Sequence, residues 1–170
     1  RRHAVIILDS NLQVVAAVEA TGESGSFPDP RAFNDPIRDL AVHGDQVIVL
    51  TSGFHPEGCG LRLLDLDGRF LRTIAAKQFR DPRALTASHG RAFVVDNDEG
   101  DAVNDDELLE AMFVSKVLYV IDIQSGDILQ SARFKLQGFV STLLVDRDEI
   151  YIASLHADKI IVLPFAGSEA

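Results

Sequence analysis

Residues 33–42 read FNDPIRDLAV, and residues 79–88 read FRDPRALTAS, which is the same phrase 46 positions further along the chain. The dipeptides His43-Gly44 and His89-Gly90 then follow at the same spacing. Self-similarity at a fixed period of roughly 20–50 residues is typical of an architecture built from copies of one supersecondary unit. The repeated phrase therefore marks the start of a structural repeat.

Each copy of the phrase is followed by strand-like sequence. Runs rich in Val, Ile, Phe or Tyr and bounded by turn residues are typical of β-strands. Such runs are QVIVLT at 46–51, RAFVVD at 91–96 and DEIYIAS at 148–154, and second runs lie at 61–66, 117–123 and 159–163. The pairs Asp67-Gly68 and Ser125-Gly126 then indicate tight turns, because Gly accepts a positive φ. Each repeat is thus predicted to contain four antiparallel strands.

Four-stranded antiparallel units, called blades below, at a period of about 40–50 residues predict an all-β fold, a β-propeller. The pattern gives two strands at 3–18, full blades at 37–74 and 85–134, and three strands at 140–164. Blade boundaries fall near residues 34, 80 and 137, with a short helical insertion at 97–116 in one blade. Closed propellers typically have about 4–8 blades. We therefore expect residues 1–170 to form a segment of one propeller domain, whose remaining blades come from missing residues or another chain. A small barrel or a sandwich of the same strands is the structural alternative.

Charge and composition exclude several classes of partner. The formal net charge of −10 disfavours binding to nucleic acid and to an anionic membrane surface. No apolar run reaches the roughly 18 residues that span a bilayer, so membrane insertion is not expected. Cys59 is the single cysteine, which rules out an intrachain disulfide and favours a reducing compartment. No signal peptide is recognisable, and the compartment itself is not predicted.

The repeat resembles the NHL-repeat propellers. Residues 150–163, IYIASLHADKIIVL, are similar to a repeat of that family over their whole length, with Lys159-Ile160 at the position of its Arg-Ile pair. Pro36, the strand VIVL and the Asp67-Gly68 turn also match, whereas Ser154 replaces the usual Asp. The resemblance implies a protein-interaction module. RNA-binding members have a basic face that this acidic chain lacks. Enzymatic members carry metal-binding His residues after the opening Pro, where this chain has Ile37 and Arg38, Arg83 and Ala84, and Phe139 and Val140.

Arg38 and Arg83 are the candidates for anion binding. Both closely follow the opening proline of a blade, a segment that lines the central channel in propellers. Guanidinium groups pair well with carboxylate or phosphate. The alternative is that the two arginines pair with neighbouring Asp39, Asp35 or Asp81.

The sequence predicts no catalytic residue, metal or cofactor. His55, Cys59 and His156 could contribute to a zinc site, but their spacing favours exposed loop residues. A calcium-loop count that begins at Asp96 has Gly100 where an oxygen ligand belongs. Serines near strand ends lack a nucleophile elbow or a suitably spaced His; they are Ser52, Ser88, Ser141 and Ser154.

The insertion at 97–116 is predicted to dock a protein partner. Its second half reads as a short helix capped by Asn104 or Asp105, with an apolar face. Leu109, Met112 and Phe113 on that face are the expected anchors, as in interfaces where a helix fills a groove. The alternative is that the same face folds back over its own blade.

Taken together, these patterns favour a non-enzymatic protein–protein interaction scaffold, or a structural subunit of a larger assembly. The alternative function is a metal-dependent hydrolase or lyase with its site on the propeller axis.

Overall fold

The computed structural model describes residues 4–19, 36–52, 59–97, 114–155, 157 and 159–165. These residues form thirteen β-strands in four antiparallel sheets. The chain divides into two compact units, Arg1–Arg80 and Asp81–Ala170. Within the described ranges no helix is long and apolar enough to cross a membrane.

The first unit holds a hairpin and one four-stranded sheet. The hairpin pairs β1 (Ala4–Leu8) with β2 (Val14–Glu19). The sheet has the order β3-β4-β5-β6. Its strands are β3 (Ile37–His43), β4 (Gln46–Thr51), β5 (Gly60–Asp65) and β6 (Phe70–Ile74). Neighbours in the sheet are also neighbours in the sequence, which is the meander expected of a blade.

The second unit holds a four-stranded and a three-stranded sheet, with the orders β7-β8-β9-β10 and β11-β12-β13. The strands of the first are β7 (Pro82–Ser88), β8 (Arg91–Asn97), β9 (Ser115–Asp122) and β10 (Ile128–Lys135). The strands of the second are β11 (Val140–Asp146), β12 (Glu149–Ser154) and β13 (Ile160–Pro164). The two four-stranded sheets agree with the predicted blades. The predicted helical insertion lies largely outside the described residues.

The repeated His-Gly dipeptide occupies two different turn positions. Ser88 pairs with Arg91, so His89 and Gly90 are the two turn residues, with φ of 50° and 72°. Two positive φ values in a two-residue turn match the right-handed twist of the flanking strands. In the earlier repeat His43 itself pairs with Gln46, and the turn begins at Gly44 with φ of 56°. The same dipeptide is therefore shifted by one position between the two repeats.

The core of each unit is formed by facing sheets. In the second unit, Phe93 packs edge-on against Phe165, with ring centroids 5.1 Å apart, and residues of β11–β13 such as Leu143 and Ile152 complete the cluster. In the first unit, Val5 of β1 packs against β4 and β5 through a cluster that includes Val47, Val49 and Leu64. Burying a side chain of this size contributes about 1.5–3 kcal/mol. These sheet-on-sheet contacts fix the ends of the strands that carry the polar residues described next.

Candidate functional site

The same β-bulge occurs at the start of β3, β7 and β11. In each strand the register shifts by one residue, and the extra residues are Arg38, Arg83 and Ser141. Bulges of this kind re-aim a side chain and recur beside functional sites. Each bulge is flanked by an equivalent backbone hydrogen bond: Ser52 N to Pro36 O at 3.0 Å, Asn97 N to Asp81 O at 3.2 Å, and Leu155 N to Phe139 O at 3.0 Å. The two predicted arginines therefore hold equivalent positions in two repeats.

Arg38 is exposed on its bulge and contacts the end of the neighbouring strand. Its Nε donates a hydrogen bond to Ser52 Oγ at 2.5 Å. Ser52 itself is 4% exposed, so this contact ties the long side chain to a fixed point of the sheet. The structure thus places Arg38 against a hydroxyl, a contact that the sequence does not predict.

Arg83 forms an ion pair with Asp81. Its Nε donates to Asp81 Oδ2 at 3.0 Å, and its Nη2 donates to the same oxygen. The guanidinium carbon lies 4.9 Å from the centroid of the Phe139 ring, close enough for a cation–π contact. The side chains are 24% and 15% exposed for Arg83 and Asp81. The pairing with Asp81 that the sequence left open is therefore observed.

The Arg83–Asp81 pair belongs to a buried polar cluster, defined as Asp81, Arg83, Asp96, Asn97 and Lys116. Asn97 Nδ2 donates to Asp81 Oδ2 at 2.6 Å, and Asp96 Oδ1 accepts from the Asp81 backbone N–H at 2.8 Å. Asn97 and Lys116 lie opposite each other in the register of β8 and β9. Asp96, Asn97 and Lys116 are only 2%, 1% and 0% exposed. The cluster thus joins the ends of β7, β8 and β9 through polar contacts between buried and partly buried side chains.

Burial lowers the pKa of Lys116 from its ordinary value of 10.5 to about 8. The nearby positive charge of Arg83 lowers this pKa further, whereas the negative charge of Asp81 raises it. Asn97 Oδ1 is also buried and, within the described part of the chain, accepts no hydrogen bond. A charged amine and an unsatisfied amide oxygen away from water both reduce stability. The cluster therefore carries a free-energy cost that an apolar arrangement would not have.

The predicted docking residues, and two of the three residues weighed as zinc ligands, lie outside the described residues. Leu109, Met112 and Phe113 lie outside the described residues, as do His55 and His156. Cys59 is described and is 1% exposed, with its Sγ 3.7 Å from the backbone oxygen of Arg80. Among the residues that the structure describes, no group of three or more His, Cys, Asp or Glu side chains is placed to hold a metal ion.

The sequence did not single out the buried polar cluster. The sequence pattern places Asn97 and Lys116 at the ends of the insertion; in the structure β8 extends through Asn97 and β9 begins at Ser115. One signal was present: Asp96 and Asn97 directly follow the apolar run AFVV, so they continue a strand whose other residues are buried. The connection between the two strands is correspondingly shorter than 97–116.

Comparison with known proteins identifies the fold. No family model and no curated protein matches the sequence. Among solved structures, the chain is similar to the glutaminyl cyclase of Myxococcus xanthus, with 14% identity and a TM-score of 0.54 over 90% of this chain and 53% of that one. It is also similar to the WD40 β-propeller domain of Doa1, with 12% identity and a TM-score of 0.53 over 96% of this chain and 48% of that one. The chain thus spans about half the length of each.

At such low identity these similarities show the fold alone. The described residues form an all-β structure whose antiparallel sheets resemble the blades of a β-propeller, as the 46-residue repeat predicts.

Proposed function

We propose that this chain is part of a non-enzymatic protein–protein interaction scaffold built on an NHL-like propeller, or a structural subunit of a larger assembly. The propeller fold supports the proposal, because propellers commonly serve as interaction scaffolds. The NHL assignment is supported by the repeat phrase and by the IYIASLHADKIIVL stretch. Residues outside this sequence or another chain supply the remaining blades, and the partner is a protein.

The connection between β8 and β9 is the proposed docking element, with Leu109, Met112 and Phe113 as its anchors. The observation that carries this proposal is the position of the buried polar cluster. Asn97 ends β8 and Lys116 follows the first residue of β9, and both are at most 1% exposed. Asn97 and Lys116 pair with each other across the two strands and are both buried. The two ends of the connection are therefore held in fixed positions. Holding both ends of the connection lowers the conformational entropy that the connection loses when a partner binds.

Replacing Met112 and Phe113 together with Asp is expected to lower partner recovery at least tenfold. Two carboxylates in an apolar groove would have to lose their water without gaining partners. Recovery is measured by quantitative pull-down from lysate, with the tagged chain at equal amounts. The conservative double variant M112L/F113L is the matched control, since it keeps the apolar surface and is expected to retain most of the recovery.

Far-ultraviolet circular dichroism of each variant confirms that the sheets are formed. If the folded M112D/F113D variant recovers the same partners in the same amounts as the unchanged chain, this connection is not the docking element.

Arg38 and Arg83 remain the proposed anion-binding residues. Arg38 is the more exposed of the two and is therefore tested first. In an NMR titration at pH 7, inorganic phosphate is expected to shift the Arg38 Nε–Hε resonance. The shift should saturate at low-millimolar phosphate concentrations. Replacing Arg38 with Gln is expected to abolish saturation at neighbouring backbone amides, and Arg72→Gln serves as the control. Shifts that stay linear in phosphate concentration, or that survive in the Arg38→Gln variant, would exclude the site.

A further inference from the structure

Asn97 and Lys116 form a buried amide–amine pair across two neighbouring strands. Asn97, the last residue of β8, lies directly opposite Lys116 of β9, and the two residues are 1% and 0% exposed. Residues opposite each other in an antiparallel pair have Cβ atoms about 4.5–5.5 Å apart, which is within the reach of a lysine side chain. The amine of Lys116 can therefore approach the side-chain amide of Asn97.

The pair continues the apolar face of its sheet. Successive residues on one face of a strand are two positions apart, so Asn97 follows Val95 and Lys116 precedes Leu118 on the face that packs in the core of the second unit. Phe134 of β10 lies opposite Lys116 and packs against the same core. Apolar neighbours on this face limit the access of water, which would otherwise compete with the amine for the amide carbon.

A carboxylate is bonded to the nitrogen of this amide. Asp81 Oδ2 accepts a hydrogen bond from Asn97 Nδ2 at 2.6 Å, and Arg83 Nε donates to the same oxygen at 3.0 Å. Asn97 Oδ1, in contrast, accepts no hydrogen bond within the described ranges. The amide nitrogen thus contacts a group that can carry a proton to it, and the amide oxygen keeps its capacity to accept one. Both features favour acyl transfer from the amide.

The blade itself does not require this pair. Ser52 is equivalent to Asn97, since each donates the backbone hydrogen bond beside a bulge. The register of β4 and β5 places Ser52 opposite Cys59, so two small neutral side chains occupy these positions in the preceding four-stranded sheet. Buried polar groups that reduce stability without serving the fold are typical of functional sites.

We propose that Lys116 Nζ and Asn97 Cγ join in an isopeptide bond within the folded chain, with release of ammonia. The neutral amine attacks Cγ, and the electron pair of the carbonyl moves to Oδ1. Asp81 takes a proton from the attacking nitrogen and gives it to Nδ2. The carbonyl then re-forms as the Cγ–Nδ2 bond breaks, and ammonia leaves. The carboxylate of Asp81 is regenerated, and no oxidant or co-reactant is consumed.

The rate of this reaction depends on pH because only the neutral amine attacks. Burial and the charge of Arg83 lower the pKa of Lys116 to about 8, although Asp81 opposes them. Asp96 is the other charged residue of the cluster. The neutral form therefore rises from roughly a tenth of the amines at pH 7 to roughly nine tenths at pH 9, so the bond should form about tenfold faster at pH 9. Lys116 is a buried charge only in chains that are not yet linked, and such chains are recognised by their full mass.

Mass spectrometry of the intact 170-residue chain, on purification and during incubation at pH 7 and pH 9, tests the proposal. The unchanged chain is expected to lose one ammonia, about 17 Da. Digestion with trypsin and a glutamate-specific protease is expected to yield fragments 92–99 and 111–133 joined through Asn97 and Lys116. A succinimide at Asn97 also lacks one ammonia, but it leaves the two fragments separate.

Three variants separate the groups that take part in the bond. Lys116→Arg keeps the positive charge but is expected to retain the full mass, whereas Lys135→Arg, at an exposed position of β10, is expected to lose ammonia like the unchanged chain. Asp81→Asn, with its sheets verified by circular dichroism, is expected to slow the loss at least tenfold, because the proton carrier is removed.

An unchanged chain that keeps its full mass after several days at pH 9 overturns the proposal, and this outcome does not depend on the folding of any variant. A loss of ammonia that persists in Lys116→Arg, or fragments that separate after digestion, overturns it as well. The inference goes beyond the interaction role, and none of these outcomes bears on the pull-down with Met112 and Phe113.

Discussion

Replacing Asp81 with Ala is expected to lower the free energy of unfolding by about 2–4 kcal/mol at pH 7. Asp81 accepts hydrogen bonds from the guanidinium of Arg83 and from Asn97 Nδ2. Removing the carboxylate leaves both donors without this acceptor in a partly buried setting. It also leaves the positive charges of Arg83 and Lys116 close together without the negative charge between them.

Urea unfolding of the unchanged chain and of Asp81→Ala, followed by circular dichroism, measures this loss. Asp148→Ala is the control, because Asp148 is an exposed residue of the β11–β12 turn, and a change within about 0.5 kcal/mol is expected there. A loss for Asp81→Ala no larger than that of the control would mean that the ion pair adds nothing measurable to stability.

Replacing Lys116 with Met is expected to raise the free energy of unfolding by about 1–3 kcal/mol at pH 7. Lys116 is 0% exposed, and burial is the main reason that its pKa falls from 10.5 to about 8. That fall corresponds to about 3 kcal/mol of destabilisation whenever the amine is protonated. Methionine has a similar length and no charge, so it fills the same space without this cost.

The burial of Lys116 also predicts how the free energy of unfolding changes with pH. Between pH about 8 and 10.5 the unfolded chain holds a proton on Lys116 that the folded chain has released. The folded state is therefore favoured by rising pH in this window, and the cost of burying Lys116 is fully present only below pH about 8. Relative to the unchanged chain, the advantage of Lys116→Met should shrink steadily as the pH rises from 8 to 10.5.

Urea unfolding at pH 7, 8.5 and 10 measures the difference between the two proteins, which cancels the titration of groups that they share. Lys135→Met is the matched control, because Lys135 is exposed on β10 in register with Ser115, the residue before Lys116. If the difference in free energy of unfolding between Lys116→Met and the unchanged chain stays constant across this range, the pKa of Lys116 is not lowered by burial.

The strands and turns could be predicted because their signals are local. The tight turn at His89-Gly90 and the strand at 46–51 are each indicated by residues that are adjacent in the sequence. The Arg83–Asp81 pair was also within reach, since only Pro82 separates the two residues. The repeat does not predict that equivalent positions, such as Leu118 and Ile160, differ in exposure. Exposure depends on which sheets pack together.

The buried polar cluster could not be predicted for the same reason. Lys116 meets Asn97 through the pairing of β8 with β9, and residues 98–114 separate these two strands in the sequence. A lysine near the start of a strand is ordinarily exposed, and its burial follows from tertiary packing. The docking role of Leu109, Met112 and Phe113 stays a prediction, since these residues lie outside the described ranges.

The three equivalent bulges have a consequence for protein engineering. A backbone hydrogen bond flanks each bulge, and the extra residue differs between them: arginine at 38 and 83, and serine at 141. The side chain at this position is therefore not dictated by the strand pairing. Positions 38 and 141, which do not belong to the buried cluster, are the places where new chemistry can be grafted onto this scaffold while its hydrogen-bond ladder is kept.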